Sequence, residues 1–336
     1  MSAAADGKGR AMKAMRCHGW GPPDSLQLDE FAPVPLGRRE VRIRVHAAGV
    51  NFADTLMIAG SYQVKPEFPF VPGLEAAGEV IEIGGDVSEL RPGHRVLAVL
   101  RFGGGYADEI VVNEDAVVPI PPAMDFVTAA AFPVAYGTSH FALTHRGHLQ
   151  PGETLLVLGA AGGVGLTAVE IGKALGARVI AAAGGPEKLA IARAHGADDL
   201  IDYRSESIRD RVRELTGGKG ADVVFDPVGG DAFDQALRAV NWEARMLVIG
   251  FAAGRIQSVP ANLILVKNIS VIGVVWGAQA ARDPVLVSRN LAELLRWWEA
   301  GRLKPLVART FPLAEAGAAM QALLSRRYAG KIVLET

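Results

Sequence analysis

Cysteine is nearly absent from this 336-residue sequence, with Cys17 the single case. No disulfide framework and no thiolate metal cluster can form within one chain. An excess of either charge is missing too: 35 Lys and Arg stand against 36 Asp and Glu, a net of −1. With no basic run either, nucleic acid is not expected as the main partner. No apolar run reaches membrane-spanning length, and the N-terminus has no signal-peptide core. The expectation is a cytoplasmic protein with no membrane partner. Residues 1–11, mostly small and polar, read as a disordered extension. What remains is long enough for two domains with sizeable cores.

The stretch that organises the rest runs from Thr154 to Gly185, TLLVLGAAGGVGLTAVEIGKALGARVIAAAGG. Leu155 to Leu158 form a short apolar run of the kind that makes a buried parallel strand. A turn follows at Gly159, Ala160, Ala161, Gly162, Gly163, Val164 and Gly165. Val164, Ala168, Ile171 and Leu175 then recur at helical spacing, and Gly176 marks the stop. Arg178 to Ala183 supply a second strand, which completes a βαβ unit of the size that holds half a dinucleotide.

The residue types in that turn suit a pyrophosphate. Such a group must approach backbone N–H groups at a helix N-terminus, where dipole and unpaired donors favour negative charge. Gly162 and Gly163 leave the approach open, and Gly165 lets the helix lie close on the strand. Ala160 replaces the first glycine of the usual G-x-G-x-x-G, so the motif is a variant. An acidic residue about twenty positions on would hold the ribose 2′-hydroxyl of NAD. Ala182, Ala183, Gly184 and Gly185 stand there instead, with Lys188 just beyond to pair with a 2′-phosphate. Glu187, the nearest acid, reads as a helix-dipole partner. The expected cofactor is NADPH.

Before this unit the pattern is all-β. Glu40 to Ala47 alternate, with Val41, Ile43 and Val45 on one face. Further strands are expected over Gly78 to Gly84, His94 to Leu100 and Tyr106 to Val112, with a short helix over Val50 to Ala59. Asp125 to His148 read as helical. After the first βαβ, strand candidates at Leu200 to Tyr203, Val223 to Asp226, Met246 to Gly250 and Ile269 to Val275 alternate with helices. That rhythm predicts an α/β fold with a doubly wound parallel sheet. Asn290 to Ala300 and Ala314 to Leu324 are the last helices, with Trp297 and Trp298 read as packing residues, and Lys331 to Glu335 form a closing strand.

The assembled pattern resembles the quinone oxidoreductase (zeta-crystallin-like) branch of the medium-chain dehydrogenase/reductases from residue 12 onward. The resemblance is carried by AAGVNFADTLMIAGSY, PFVPGLEAAGEVIEIG, LRPGHRVLA, GGYADEIVV, GAAGGVG, LIDY and YAGKIVLE. It implies a GroES-like catalytic domain of β-barrel type over 12–136 and 280–336, a Rossmann domain over 137–279, and an active site between them. Zinc-using relatives carry a cysteine near the position of Asn51-Phe52-Ala53 and a histidine where Leu74 stands. Leu74 cannot bind a metal, and Glu75 without His or Cys neighbours makes a poor zinc site. His140, His145 and His148 lie close on a predicted helix and read as solvated or core-edge. No metal is expected.

The same resemblance implies roles for single residues. Asn51 matches the asparagine that faces nicotinamide and substrate, with Asp54 a structural hydrogen-bonding acid. Tyr62 matches a tyrosine lining the quinone pocket. Thr138 borders the nicotinamide. Lys188 and Tyr203 hold the 2′-phosphate, with Arg326 and Lys331 as C-terminal candidates. Val228, Gly250, Phe251 and the backbone from Val274 to Trp276 line the cofactor cleft. The implied reaction is hydride transfer from NADPH to a quinone or an α,β-unsaturated carbonyl, without zinc. Reduction of an enoyl thioester and non-catalytic NADPH binding are the alternatives. A homodimer is expected through the edge strand Ile269 to Trp276, apolar enough to need covering.

Overall fold

The computed structural model describes residues 11–336, so the extension expected at residues 1–11 lies, but for Ala11, outside the described residues. In chain order the first elements are β1 (Met12–Arg16), β2 (Gln27–Phe31), β3 (Glu40–Val50), α1 (Phe52–Ile58), β4 (Glu75–Ile83), β5 (Arg95–Val99), β6 (Glu109–Asn113), β7 (Val117–Pro119) and α2 (Phe126–Ala130). Then come α3 (Pro133–His140), β8 (Thr154–Leu158), α4 (Gly163–Ala174), β9 (Arg178–Ala183), α5 (Pro186–Ala194), β10 (Asp199–Asp202), α6 (Ile208–Leu215), β11 (Ala221–Asp226) and α7 (Gly230–Leu237). The chain ends with β12 (Val240–Val248), α8 (Ala261–Lys267), β13 (Ser270–Gly273), α9 (Trp276–Arg282), α10 (Pro284–Glu299), β14 (Val307–Pro312), α11 (Ala316–Leu324) and β15 (Lys331–Glu335).

Two units divide the chain. The first holds residues up to Ala131 with 309–325 and 332–336. Its main sheet runs β14-β15-β3-β4-β5-β7, with β6 also on β3. Strand β3 is the centre because it is long enough for three partners. It pairs antiparallel with β4 on one side, and on the other with β6 through Glu40–Arg44 and with β15 through Ala47–Val50. Val41, Ile43 and Val45 face the core as the alternation predicts. The C-terminal residues thus close a sheet begun by the N-terminal half.

The second unit holds 132–308 and 326–331. It includes residues 280–308, which the family resemblance assigns to the first; His140 of α3 meets Glu293 and Trp297 of α10 there. Its sheet is parallel throughout, in the order β10-β9-β8-β11-β12-β13. The chain winds outward from β8 through β9 to β10, then crosses to β11 and winds the other way. Leu155, Leu156, Val157 and Leu158 are all buried, as a central strand covered on both faces requires. Phe225 of β11 and Phe233 of α7 are fully buried in the same unit. Burial of side chains this size stabilises by about 1.5–3 kcal/mol each.

The helix expected from Asp125 to His148 is broken. Helix α2 ends at Ala130, α3 restarts at Pro133, and Phe141–Arg146 form a wider π-type turn. Proline has no N–H and its ring clashes with the carbonyl one turn back, so Pro133 begins a helix rather than continuing one.

Candidate functional site

The parallel sheet reverses its winding between β8 and β11, and the crevice at the carboxyl ends of such strands is where ligands bind. The glycine-rich turn leaves β8 at that point. Its fold is held by backbone bonds from Ala160 N to Ala182 O (3.0 Å), Gly162 N to Gly159 O (2.9 Å) and Leu166 N to Gly162 O (2.8 Å). Helix α4 then starts from Gly162 with no side chain capping its N-terminus. A Cβ on Gly165 would stand 2.2 Å from Gly159 O, so only glycine lets the helix seat this close to the strand. Gly162 is exposed, while Gly163 and Val164 are half-buried. The N–H end of a twelve-residue helix therefore faces outward with no side chain capping it, and fits a pyrophosphate.

Three other segments border this turn. Residues 326–331 run beside it: Gly330 N donates to Ala161 O (2.9 Å), and the Lys331 stem lies against Gly163. Lys188 Nζ donates to Arg326 O (2.6 Å), and the Arg326 guanidinium donates to Ala252 O. So Lys188, Arg326 and the Phe251 segment, far apart in sequence, are joined. After β11, Asp226 Oδ1 accepts from Val228 N and Gly229 N (both 2.8 Å), which sets Val228 beside Gly159. Burial pushes the Asp226 carboxyl up to about 6, against the pull of those two bonds. Its Oδ2 meets no donor among the described residues.

On α3, Thr138 is half-buried, and its neighbour Ser139 donates to Val164 O (2.9 Å) and pairs with Thr167 Oγ1 (2.8 Å). The buried Trp276 ring lies against Gly137, one residue from Thr138. A second buried network ties α3 to α4: Glu170 accepts from the Tyr136 hydroxyl (2.6 Å) and the Lys304 N–H (3.1 Å), and pairs with His195. At the far end of the crevice, Gly184 and Gly185 follow β9. Tyr203 closes on Gly184 and Arg204 on Gly185. Arg204 is absent from the sequence reading; its only signal is a charged pair, Asp202 and Arg204, flanking Tyr203 at a strand end.

In the first unit, Asn51 follows β3 and caps α1 in a capping box with Asp54. Asn51 N donates to Asp54 Oδ2 (2.8 Å), and the Tyr106 hydroxyl donates to the same oxygen (2.9 Å). The Asn51 side-chain Nδ2 donates to Glu75 Oε1 (2.8 Å). Asn51, Asp54, Glu75 and Tyr106 are all buried. Burial first, then the nearby Asp54 charge, drives the Tyr106 pKa well above its ordinary value, so the hydroxyl remains a donor. Tyr62, half-buried after α1, is raised by the same two causes. Sequence reasoning meets Glu75 only as a failed metal ligand; its bond to Asn51 is a tertiary fact.

Residues 37–122 match the alcohol dehydrogenase GroES-like domain, and residues 163–293 match the zinc-binding dehydrogenase domain. Over 329 residues the chain is 43% identical to the quinone oxidoreductase-like protein 2 homolog of Nematostella vectensis, covering 97% of this chain and 90% of that protein. The structure of the Escherichia coli quinone oxidoreductase complexed with NADPH superposes with a TM-score of 0.90 at 31% identity, over 96% of this chain and all of that one. The chain belongs to the quinone oxidoreductase branch of the medium-chain dehydrogenase/reductases.

Membership makes the protein an oxidoreductase and gives the GroES-like and doubly wound units their family names. The CurK enoyl reductase is a further structural neighbour, with a TM-score of 0.85 at 27% identity over 96% of this chain and 99% of that one. Among the described residues no group of three or more His, Cys, Asp or Glu side chains is placed to hold a metal ion. His140 is buried, with Nε2 3.5 Å from Glu293, and burial lowers its pKa. His145 stacks on Phe141. Among the described residues, no helix is long and apolar enough to cross a membrane.

Proposed function

We propose that this oxidoreductase transfers a hydride from NADPH to a quinone or an α,β-unsaturated carbonyl, without a metal ion. The observation that carries the reading is the bare N-terminus of α4 at the point where the sheet reverses its winding. The 2′-phosphate form is favoured because Ala182, Ala183, Gly184 and Gly185 offer no carboxylate, while Lys188 and Tyr203 follow. The Escherichia coli relative, crystallised with NADPH, supports the same choice.

When bound, NADPH supplies the hydride, and the protein supplies position, exclusion of water and hydrogen bonds. Negative charge develops on the carbonyl oxygen of the acceptor. The Asn51 amide and the Tyr62 hydroxyl are the donors assigned to that oxygen. Glu75 holds the Asn51 amide nitrogen, and the raised Tyr62 pKa keeps its hydroxyl protonated at neutral pH. The final proton comes from water in this reading. The metal-free mechanism is supported by the donor chemistry: Leu74 has no ligating atom, and Glu75 is bonded to Asn51. One tightly held zinc per subunit in a metal analysis would refute it.

Turnover on a simple quinone, an enone and a short enoyl-CoA is the decisive test. Fastest NADPH oxidation on the quinone or enone is expected. The likeness to the CurK enoyl reductase favours an enoyl thioester as the second reading, and preference for the thioester would establish it. A homodimer joined through β13 belongs to the proposal. That strand forms one edge of the sheet, and Leu265 and Val266 of the preceding α8 are exposed. A monomer mass by light scattering would end it. A cytoplasmic location is part of the same reading, to be checked by fractionation.

A further inference from the structure

The adenosine end of the crevice contains a charged pair that the sequence motif does not include. Strand β10 ends at Asp202, whose Oδ1 accepts the N–H of Gly185 (3.0 Å) and that of Arg204 (3.1 Å). Arg204 Nε reaches the same oxygen at 3.4 Å. The Arg204 N–H first, and the Gly185 N–H after it, hold the Asp202 carboxyl below its ordinary value, so it stays an anion and keeps these bonds. The turn they set lays two side chains over two glycines. A Cβ on Gly184 would stand 3.1 Å from the Tyr203 hydroxyl oxygen. A Cβ on Gly185, at φ +96°, would stand 1.8 Å from Arg204 Nη2 and 2.9 Å from Nη1.

These glycines occupy the strand end where an acid reads the ribose 2′-hydroxyl in NAD-dependent folds. Here a guanidinium and a phenol hydroxyl lie on that backbone instead. We propose that Arg204 is a specificity-determining residue for the cofactor: its guanidinium swings from Asp202 onto the 2′-phosphate of NADPH, with Asp202 setting the turn that keeps it in reach. The inference rests on NADPH being the cofactor.

The exchange costs little. The Arg204 side chain is exposed, and its bond to Asp202 is at the long limit, so solvent screens the pair. Asp202 Oδ1 keeps two backbone donors when the guanidinium leaves. A phosphate monoester carries close to two negative charges at neutral pH and accepts two parallel N–H bonds from one guanidinium, which a distant carboxylate oxygen does not.

Fluorescence titration of full-length wild type, Arg204→Ala and Arg204→Lys with NADPH and with NADH tests this, alongside thermal melts. Wild type is expected to bind NADPH more tightly. R204A is expected to lose about tenfold or more in NADPH affinity while NADH affinity stays within about twofold. R204K should recover only part of the loss, because an ammonium cannot present two parallel donors. Raised salt should weaken NADPH binding less in R204A than in wild type. A wild-type preference for NADPH that survives R204A unchanged would overturn the role of Arg204 alone. Equal losses for both cofactors would assign Arg204 to the fold of the turn and also overturn it. Wild type binding NADH as tightly as NADPH would sink the cofactor reading and this inference with it.

Discussion

The two candidate sites are made of different materials. The crevice of the second unit is mostly backbone: amide N–H groups at the start of α4, glycines that allow close approach to the chain, and strand ends that deliver the loops. The cluster in the first unit is mostly side chain: Asn51, Asp54, Glu75 and Tyr106, buried and joined by hydrogen bonds. A site made of backbone is damaged by adding atoms. A site made of buried polar groups is damaged by taking them away.

Gly165→Val should give the largest effect and the sharpest test of that contrast. Its Cβ would meet Gly159 O at 2.2 Å and Gly159 C at 2.8 Å, backbone atoms that cannot move cheaply. Loss of NADPH binding and a destabilisation of about 3 kcal/mol are expected by fluorescence titration and urea melts. Full binding in that variant would break the comparison on the backbone side.

Asn51→Ala tests the side-chain half. Removing one donor to a developing oxyanion costs roughly 100-fold in kcat, so kcat should fall more than KM rises in steady-state kinetics. A rise in KM alone would assign Asn51 to ground-state binding.

Asp226 is the exception within the backbone site, a buried carboxyl whose pKa burial raises from 3.8 to about 6. Between those values the folded state binds more protons than the unfolded one, so stability falls as pH rises through this window and levels off above it. Relative to Asp226→Asn, the wild type should lose about 2–3 kcal/mol between pH 4 and pH 7 in denaturant melts. Parallel pH profiles for the two proteins would show that Asp226 does not titrate this way.

Tyr106→Phe should have the smallest effect of the four. It removes one donor from Asp54 while keeping the ring, and leaves Asn51 N on the same oxygen. A loss of about 1–3 kcal/mol is expected. A change in NADPH affinity without a change in melting temperature would place Tyr106 outside the scaffold role.

The difference in materials also explains what was readable in advance. Glycine spacing between two apolar runs announces the nucleotide turn because the chemistry is local: strand, loop and helix are consecutive in sequence. Leu155 to Leu158 and Arg178 to Ala183 lie where their apolar runs place them. The break at Pro133 had its local signal, yet the apolar pattern on either side masked it. The bonds from Glu75 to Asn51 and from Tyr106 to Asp54 span 24 and 52 residues, and no spacing rule connects them. Arg204 escaped for a related reason: its importance depends on β10 lying beside β9, which puts the turn after one strand over the glycines after the other.

By itself, then, the amino-acid order determined the number and kind of strands in the second unit, the glycine turn, and the missing acid after β9. Those are properties of neighbouring residues, and backbone sterics act at short range. The strand order, the return of residues 332–336 to β3, and the hydrogen bonds around Gly185 and Asn51 were decided only on folding. They depend on which buried surfaces meet, and hydrophobic burial is non-directional until packing selects one arrangement.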